Sequence, residues 1–262
     1  MTTVSQEIRR PGYFDQYPTM AFDRDDAGVL VVRLHSDGNE VAYSPQHHSD
    51  WCRSFIDIAA DRDTKVMVLT GTGREFMAQF AWDKPLVTPQ MWDDIYYEGK
   101  HMVRRLLDIE VPVIAAVNGP CTVHSELAVL SDITLAADTA VFADKPHVPA
   151  GSVCGDGVHV VWQEILGANR GRYFLLTGQE IDAAEALALG VVNEVLPPDQ
   201  LMPRALELAH QLARLNPLTL RYSRVALTIR LKRLIDEALG YGLTLEALAG
   251  LENVRLGSRT AG

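Results

Sequence analysis

Apolar residues recur along this chain in two rhythms, short unbroken runs and longer stretches at helical spacing. Gly28 to Leu34 (GVLVVRL), Lys65 to Leu69 (KVMVL) and Val111 to Val117 (VPVIAAV) are runs rich in β-branched residues and bounded by turn signals. Each predicts a strand, the latter two buried. Ile133 to Ala136 and Val141-Phe142 predict shorter ones. Between them, Trp51, Phe55 and Ile58 share one face of a helix over Ser49 to Ala60. A longer helix fits Pro89 to Asp108, with Thr88 as its cap and Ile95, Met102 and Leu106 as its stripe. From about Val158 the helical rhythm takes over. Asp182 and Glu185 form a capping box ahead of AAEALAL, which Gly190 stops. Pro203 to Leu215 and Leu220 to Leu239 predict long amphipathic helices, and Leu243 to Leu251 a short last one. Strands alternating with helices early, and helices alone late, point to an α/β core with a helical C-terminal region. Ahead of Gly28, Pro11, Gly12 and Pro18 break every period, so a loosely ordered arm is expected. The expected division is an arm over 1–27, a core over 28–200 and a helical region over 201–262, with no internal repeat or linker.

Composition narrows the class. The 262 residues are 47% hydrophobic and 22% charged, enough for a full core without staples. Cys52, Cys121 and Cys154 cannot pair into a disulfide framework and have no zinc-like spacing, which suggests a reducing, cytoplasmic setting. A formal net charge of −10 argues against nucleic acid as a partner. No apolar run reaches the roughly 18 residues of a membrane span, and the first residues lack the apolar stretch of a signal peptide.

Common catalytic motifs are missing: there is no nucleophile elbow, P-loop, HExxH or dinucleotide fingerprint. Histidines and acids near strand ends remain. His124 directly precedes the short apolar helix SELAVLSD, where the positive helix end would keep its ring neutral and able to donate to a carbonyl or enolate. Taken alone it reads first as a cap or core histidine. His147 lies in ADKPHVPAGSVCGDG, a glycine-rich loop that also carries Asp156. An aspartate held against Nδ1 would fix the tautomer and leave Nε2 to activate water. A solvated histidine and a turn aspartate fit the spacing equally well. His48 shares the helix face of Trp51 and Phe55, as a satisfied buried histidine would. Glu126 could simply complement a helix N-terminus. Glu246, on the apolar stripe LTLEALAGL, should face a cavity or a cation. Cys154 has no neighbouring base, and an inert thiol is expected. Arg221, Arg224, Arg230, Lys232 and Arg233 read as a solvated helix face.

Read in order, VMVLTGTGREFMA, VPVIAAVNGP, SELAVLSDITLAADTAVFA and RYFLLTGQEIDAAEALALGVVNEVLP resemble the crotonase (enoyl-CoA hydratase/isomerase) superfamily over roughly Gly28 to Leu251. The resemblance implies a spiral of ββα units with a helical C-terminal region, assembled as trimers or dimers of trimers. Several positions depart from the family pattern. Gln79 stands where the first oxyanion-hole segment has glycine, and Pro120 to Ser125 lacks the Gly-Gly pair of the second. Glu126 matches one of the two water-delivering glutamates, but His147 occupies the place of the other.

These departures are similar to one branch, 6-oxocamphor hydrolase and related β-diketone hydrolases. HSELAVLSD, DKPHVPAGSVCGDGVHVVW and LEALAGL carry the likeness. The branch's functional histidines, aspartate and glutamate fall on His48, His124, His147, Asp156 and Glu246, and Tyr43 replaces its carbonyl-contacting tryptophan. The resemblance implies retro-Claisen cleavage of a carbon–carbon bond in a cyclic or bicyclic β-diketone, with neither metal nor organic cofactor. His147 would serve as base, while Met77, Phe80 and Trp82 would form an apolar wall. The alternative is hydration or isomerisation of a coenzyme A thioester by Glu126 and His147. A trimeric scaffold without catalysis is a third reading.

Overall fold

In the computed structural model, residues 10–82 and 88–260 are described. The three longest apolar runs lie side by side in a six-stranded sheet. Its strands are β1 (Met20–Arg24), β2 (Val29–Leu34), β4 (Val66–Thr70), β6 (Val113–Val117), β7 (Ile133–Ala137) and β10 (Glu194–Leu196), in that order. All neighbours are parallel except β1 and β2, which run antiparallel. Two small pairs flank it: β3 (Ala42–Tyr43) with β5 (Gln79–Phe80), and β8 (Val141–Phe142) with β9 (Ile181–Asp182). Alternate residues of the central strands enter two different cores. Met67, Leu69, Val113 and Ala115 face one, and Val66, Val68, Ile114 and Ala116 the other. The second core lies against α7 (Pro198–Ala213), which supplies Leu201, Ala205 and Ala209. Burial on both faces explains why these strands read as unbroken apolar runs.

The first core is closed by α1 (Pro45–Ala60), α2 (Pro89–Asp108) and short α3 (Ser125–Val129), followed by α4 (Val158–Leu166), α5 (Ala168–Thr177) and α6 (Ala183–Ala188). The expected caps are present. Thr88 Oγ1 accepts from the Met91 amide at 3.2 Å, and Asp182 from that of Glu185 at 2.8 Å.

Three expectations give way. Of the expected loosely ordered arm, residues 1–9 lie outside the described residues and the remainder is ordered: Tyr13, Phe14 and Tyr17 are buried, and β1 forms the sheet edge. Aromatic side chains packed on Phe22 override the broken periodicity. The last two helices are one, α8 (Pro217–Thr260), which runs unbroken through Gly240 and Gly242. Those glycines allow close approach. A Cβ on Gly242 would strike the Gly155 carbonyl, and one on Gly155 would strike that of Gly242. Finally, the basic face is not uniformly solvated. Arg224 is 2% exposed, binding Asp132 at 2.6 Å and the carbonyls of Leu107 and Ile109.

Candidate active site

Loops following β4, β6 and β8 converge beside α1 and α8. After β6 the chain turns at Asn118-Gly119-Pro120 and is held by Cys121 N–H to Val141 O (2.8 Å) and Thr122 N–H to Met77 O (2.8 Å). His124 then caps α3 in the left-handed region, φ 44° and ψ 43°, a conformation that histidine adopts more readily than most residues. The ring is tuned not by the helix end, as was expected, but by two carboxylates. Its Nδ1 lies 2.7 Å from Glu126 Oε1 and 3.4 Å from Asp156 Oδ2. Burial disfavours its charge, but the two carboxylates outweigh that and raise its pKa. Five residues of helix are a weak dipole beside a buried carboxylate. Glu126, fully buried, therefore serves His124 rather than only a helix end, and burial lifts its own pKa.

His147 follows β8 and opens a single 3-10 turn. Here the expected pairing is reversed. Nδ1 bonds to Asp144 Oδ1 at 2.6 Å, while Asp156 Oδ2 lies 3.3 Å from Nε2. Burial again opposes the charged ring; the Asp156 charge and both aspartate contacts overcome it and hold His147 well above the usual histidine range. The same contacts outweigh burial at Asp156 and keep it well below the ordinary carboxylate range. Glu246 Oε1 is 3.7 Å from His147 Nε2. Burial pushes this glutamate up to about 8, against the pull of His147, and its Oε2 has no partner. The Gly155–Gly242 contact sets this geometry, because it lays the Asp156 loop on the turn of α8 that leads to Glu246.

His48, in the first turns of α1, is 4% exposed, and its Nδ1 meets Glu98 Oε2 of α2 at 3.0 Å. The adjacent His47 is a structural residue, bonded through Nδ1 to Ser44 at 2.8 Å and through Nε2 to Ser36 at 3.0 Å. Parallel pairing of β3 with β5 sets Tyr43 opposite Phe80. The Tyr43 ring lies 4.5 Å from that of His124, 6.0 Å from Phe80 and 6.1 Å from Trp82, and Trp82 lies 5.7 Å from His48. The Tyr43 hydroxyl is buried without a partner, and burial followed by the Asp156 and Glu126 charges raises its pKa well above normal. Phe80, 52% exposed, stacks on Trp82 at the outer side of this aromatic wall, while Met77 is fully buried in the core.

The structure thus gathers His48, His124, His147, Asp156, Glu246, Tyr43 and Trp82. Sequence reasoning missed Asp144 and Glu98. The D-x-x-H spacing was a signal for the first; for the second, from a distant helix, there was none. His124, Glu126 and Asp156 each offer an atom within 4.8 Å of the others, the reach of a cation site, yet here the His124 nitrogen is engaged by Glu126. A separate cleft of about 670 Å³ between α1 and α2 has Glu98 on its wall.

The family described as Enoyl-CoA hydratase/isomerase matches residues 24–245. Carnitinyl-CoA dehydratase of Citrobacter koseri is 34% identical over 63% of this chain and 64% of its own length. Short-chain-enoyl-CoA hydratase of Clostridium acetobutylicum is 30% identical over 71% of this chain and 72% of its own. Among solved structures, a β-diketone hydrolase from the cyanobacterium Anabaena sp. PCC 7120, bound to (S)-3-oxocyclohexyl acetic acid, is 46% identical with a TM-score of 0.91. That likeness covers 94% of this chain and 99% of the other. An enoyl-CoA hydratase/isomerase from Mycobacterium paratuberculosis is 27% identical with a TM-score of 0.83, over 89% and 94% of the two chains.

Proposed function

The chain belongs to the enoyl-CoA hydratase/isomerase family, and within that family we propose that it is a hydrolase cleaving a carbon–carbon bond of a cyclic β-diketone. The observation that carries this reading is the arrangement around His147 Nε2. Asp156 and Glu246 face that nitrogen, His124 lies on the far side of Asp156, and an aromatic wall flanks them. Likeness to the Anabaena enzyme supports it.

In the proposed reaction, His147 in its deprotonated form, which its raised pKa moves to higher pH, takes a proton at Nε2 from water as the water oxygen bonds to one carbonyl carbon. The tetrahedral intermediate then breaks its bond to the carbon between the two carbonyls. That electron pair passes into an enolate, and the attacked carbonyl becomes the carboxyl of a keto acid. His124 and Tyr43 stand ready to stabilise the enolate oxygen, and a proton returned to carbon completes the balance. Tyr43, Trp82 and Phe80 suit a compact apolar ring. His48, fixed by Glu98, shapes the same wall. Assembly as a trimer or a dimer of trimers belongs to this reading.

The test is direct comparison of a bicyclic β-diketone with crotonyl-CoA, with product acid measured in water enriched in 18O. We expect diketone turnover with label in the new carboxyl, and His147→Ala slower by about 10²–10⁴-fold. Turnover of the thioester with every diketone ignored would replace this reading by hydration through Glu126.

A further inference from the structure

We propose that Asp144 is the positioning carboxylate of the site, gripping His147 by Nδ1 and so turning Nε2 toward the reacting water. This rests on the hydrolase reading above. The bond is short, 2.6 Å, and the aspartate side chain is 1% exposed. Asp144 is also held rigidly. The Ala143 amide bonds to Cys121 O at 3.3 Å and the Lys145 amide to Thr122 O at 3.1 Å, so both neighbours are tied to the strand segment that leads to His124. One frame thereby sets both histidines.

A purely structural role explains this residue poorly. Its second oxygen, Oδ2, is buried without a partner, and a buried carboxylate with one bond is a costly way to stabilise a loop. The same geometry suits orientation well. A neutral ring held at Nδ1–H leaves Nε2, the nitrogen that meets Asp156 and Glu246, without its own proton and free to accept one. Charged and titratable groups approach His147 from every side: Asp144, Cys154 and Asp156 from its own loop, His124 from the start of α3, His159 from α4 and Glu246 from α8. Only Asp144 touches Nδ1 among the described residues. It lies behind the ring and acts on substrate through it.

The experiment uses the intact protein with 15N-labelled histidine. In wild type, the Nδ1 proton of His147, identified by its loss in His147→Gln, should appear far downfield, as expected for a bond to a carboxylate. Asp144→Asn keeps the size and an acceptor but removes the charge. That resonance should move upfield, and kcat for the diketone should fall about 10²-fold with KM within about twofold. Asp144→Ala should be worse. A wild-type His147 protonated at Nε2 alone would overturn the proposal without any variant. So would an unshifted resonance or undiminished kcat in a folded Asp144→Asn. If wild type cleaves no diketone, the hydrolase reading fails, while the resonance still decides the role of Asp144.

Discussion

Tyr43 shows how far a single side chain at this site departs from what folding alone would select. A buried hydroxyl without a partner costs about 1–3 kcal/mol, and a phenylalanine of the same shape would avoid that cost. We therefore expect Tyr43→Phe to melt at the wild-type temperature or above, while diketone turnover falls roughly tenfold, as measured by calorimetry and steady-state kinetics. Loss of stability without loss of turnover would assign the hydroxyl to the fold. At this scale the sequence was legible in residue type and illegible in pairing. His48, His124, His147, Asp156 and Glu246 are polar groups in apolar or glycine-rich settings, but it was the family resemblance that joined them into one site. Their partners were not among them. Asp144, Glu98 and Glu126 look like ordinary surface or helix-end acids until tertiary contacts set them against imidazoles. The same blindness assigned Nδ1 of His147 to the wrong aspartate, since both lie in one loop and spacing does not say which nitrogen each meets.

Among the elements, strands and caps were readable because their causes are local. An apolar run covered on two faces, or a threonine three residues ahead of an amide, leaves its mark in a few consecutive positions. The end of the chain was not readable in this way. Gly240 and Gly242 look like a helix break, yet α8 passes through them because a neighbouring loop must lie against its backbone. Gly242→Ala tests that explanation. An alanine normally favours a helix by about 1 kcal/mol over glycine. Here its Cβ would strike the Gly155 carbonyl. The variant should melt several degrees lower and lose activity as the Asp156 loop is pushed from α8. A more stable, fully active variant would show that the contact is dispensable. The aromatic residues of the N-terminal segment teach a related lesson: Tyr13, Phe14 and Tyr17 lack any period, and their order comes from packing onto Phe22.

For the whole molecule, the α/β class and the helical C-terminal region were legible, whereas the surface that a neighbour would cover was not. Large apolar side chains stand exposed on the late helices: Tyr173 at 60%, Leu176 at 66%, Tyr222 at 62%, Leu227 at 78%, Tyr241 at 69% and Leu248 at 67%. Large apolar side chains left open on these two helices are the surface that the expected assembly would cover. Sedimentation is expected to report a trimer or a multiple of it, and a monomer at micromolar concentration would contradict that assembly. The meeting of Gly155 with Gly242 has a further consequence, in time. Synthesis at about 5–20 residues per second separates the emergence of His48 from that of Glu246 by on the order of 10–40 s. Until that interval ends, His48 can have Glu98, His124 can have Glu126 and His147 can have Asp144, but Glu246 is missing and the loop bearing Asp156 has no helix to rest on. The chain thus acquires its chemistry late, well after its central strands can have formed.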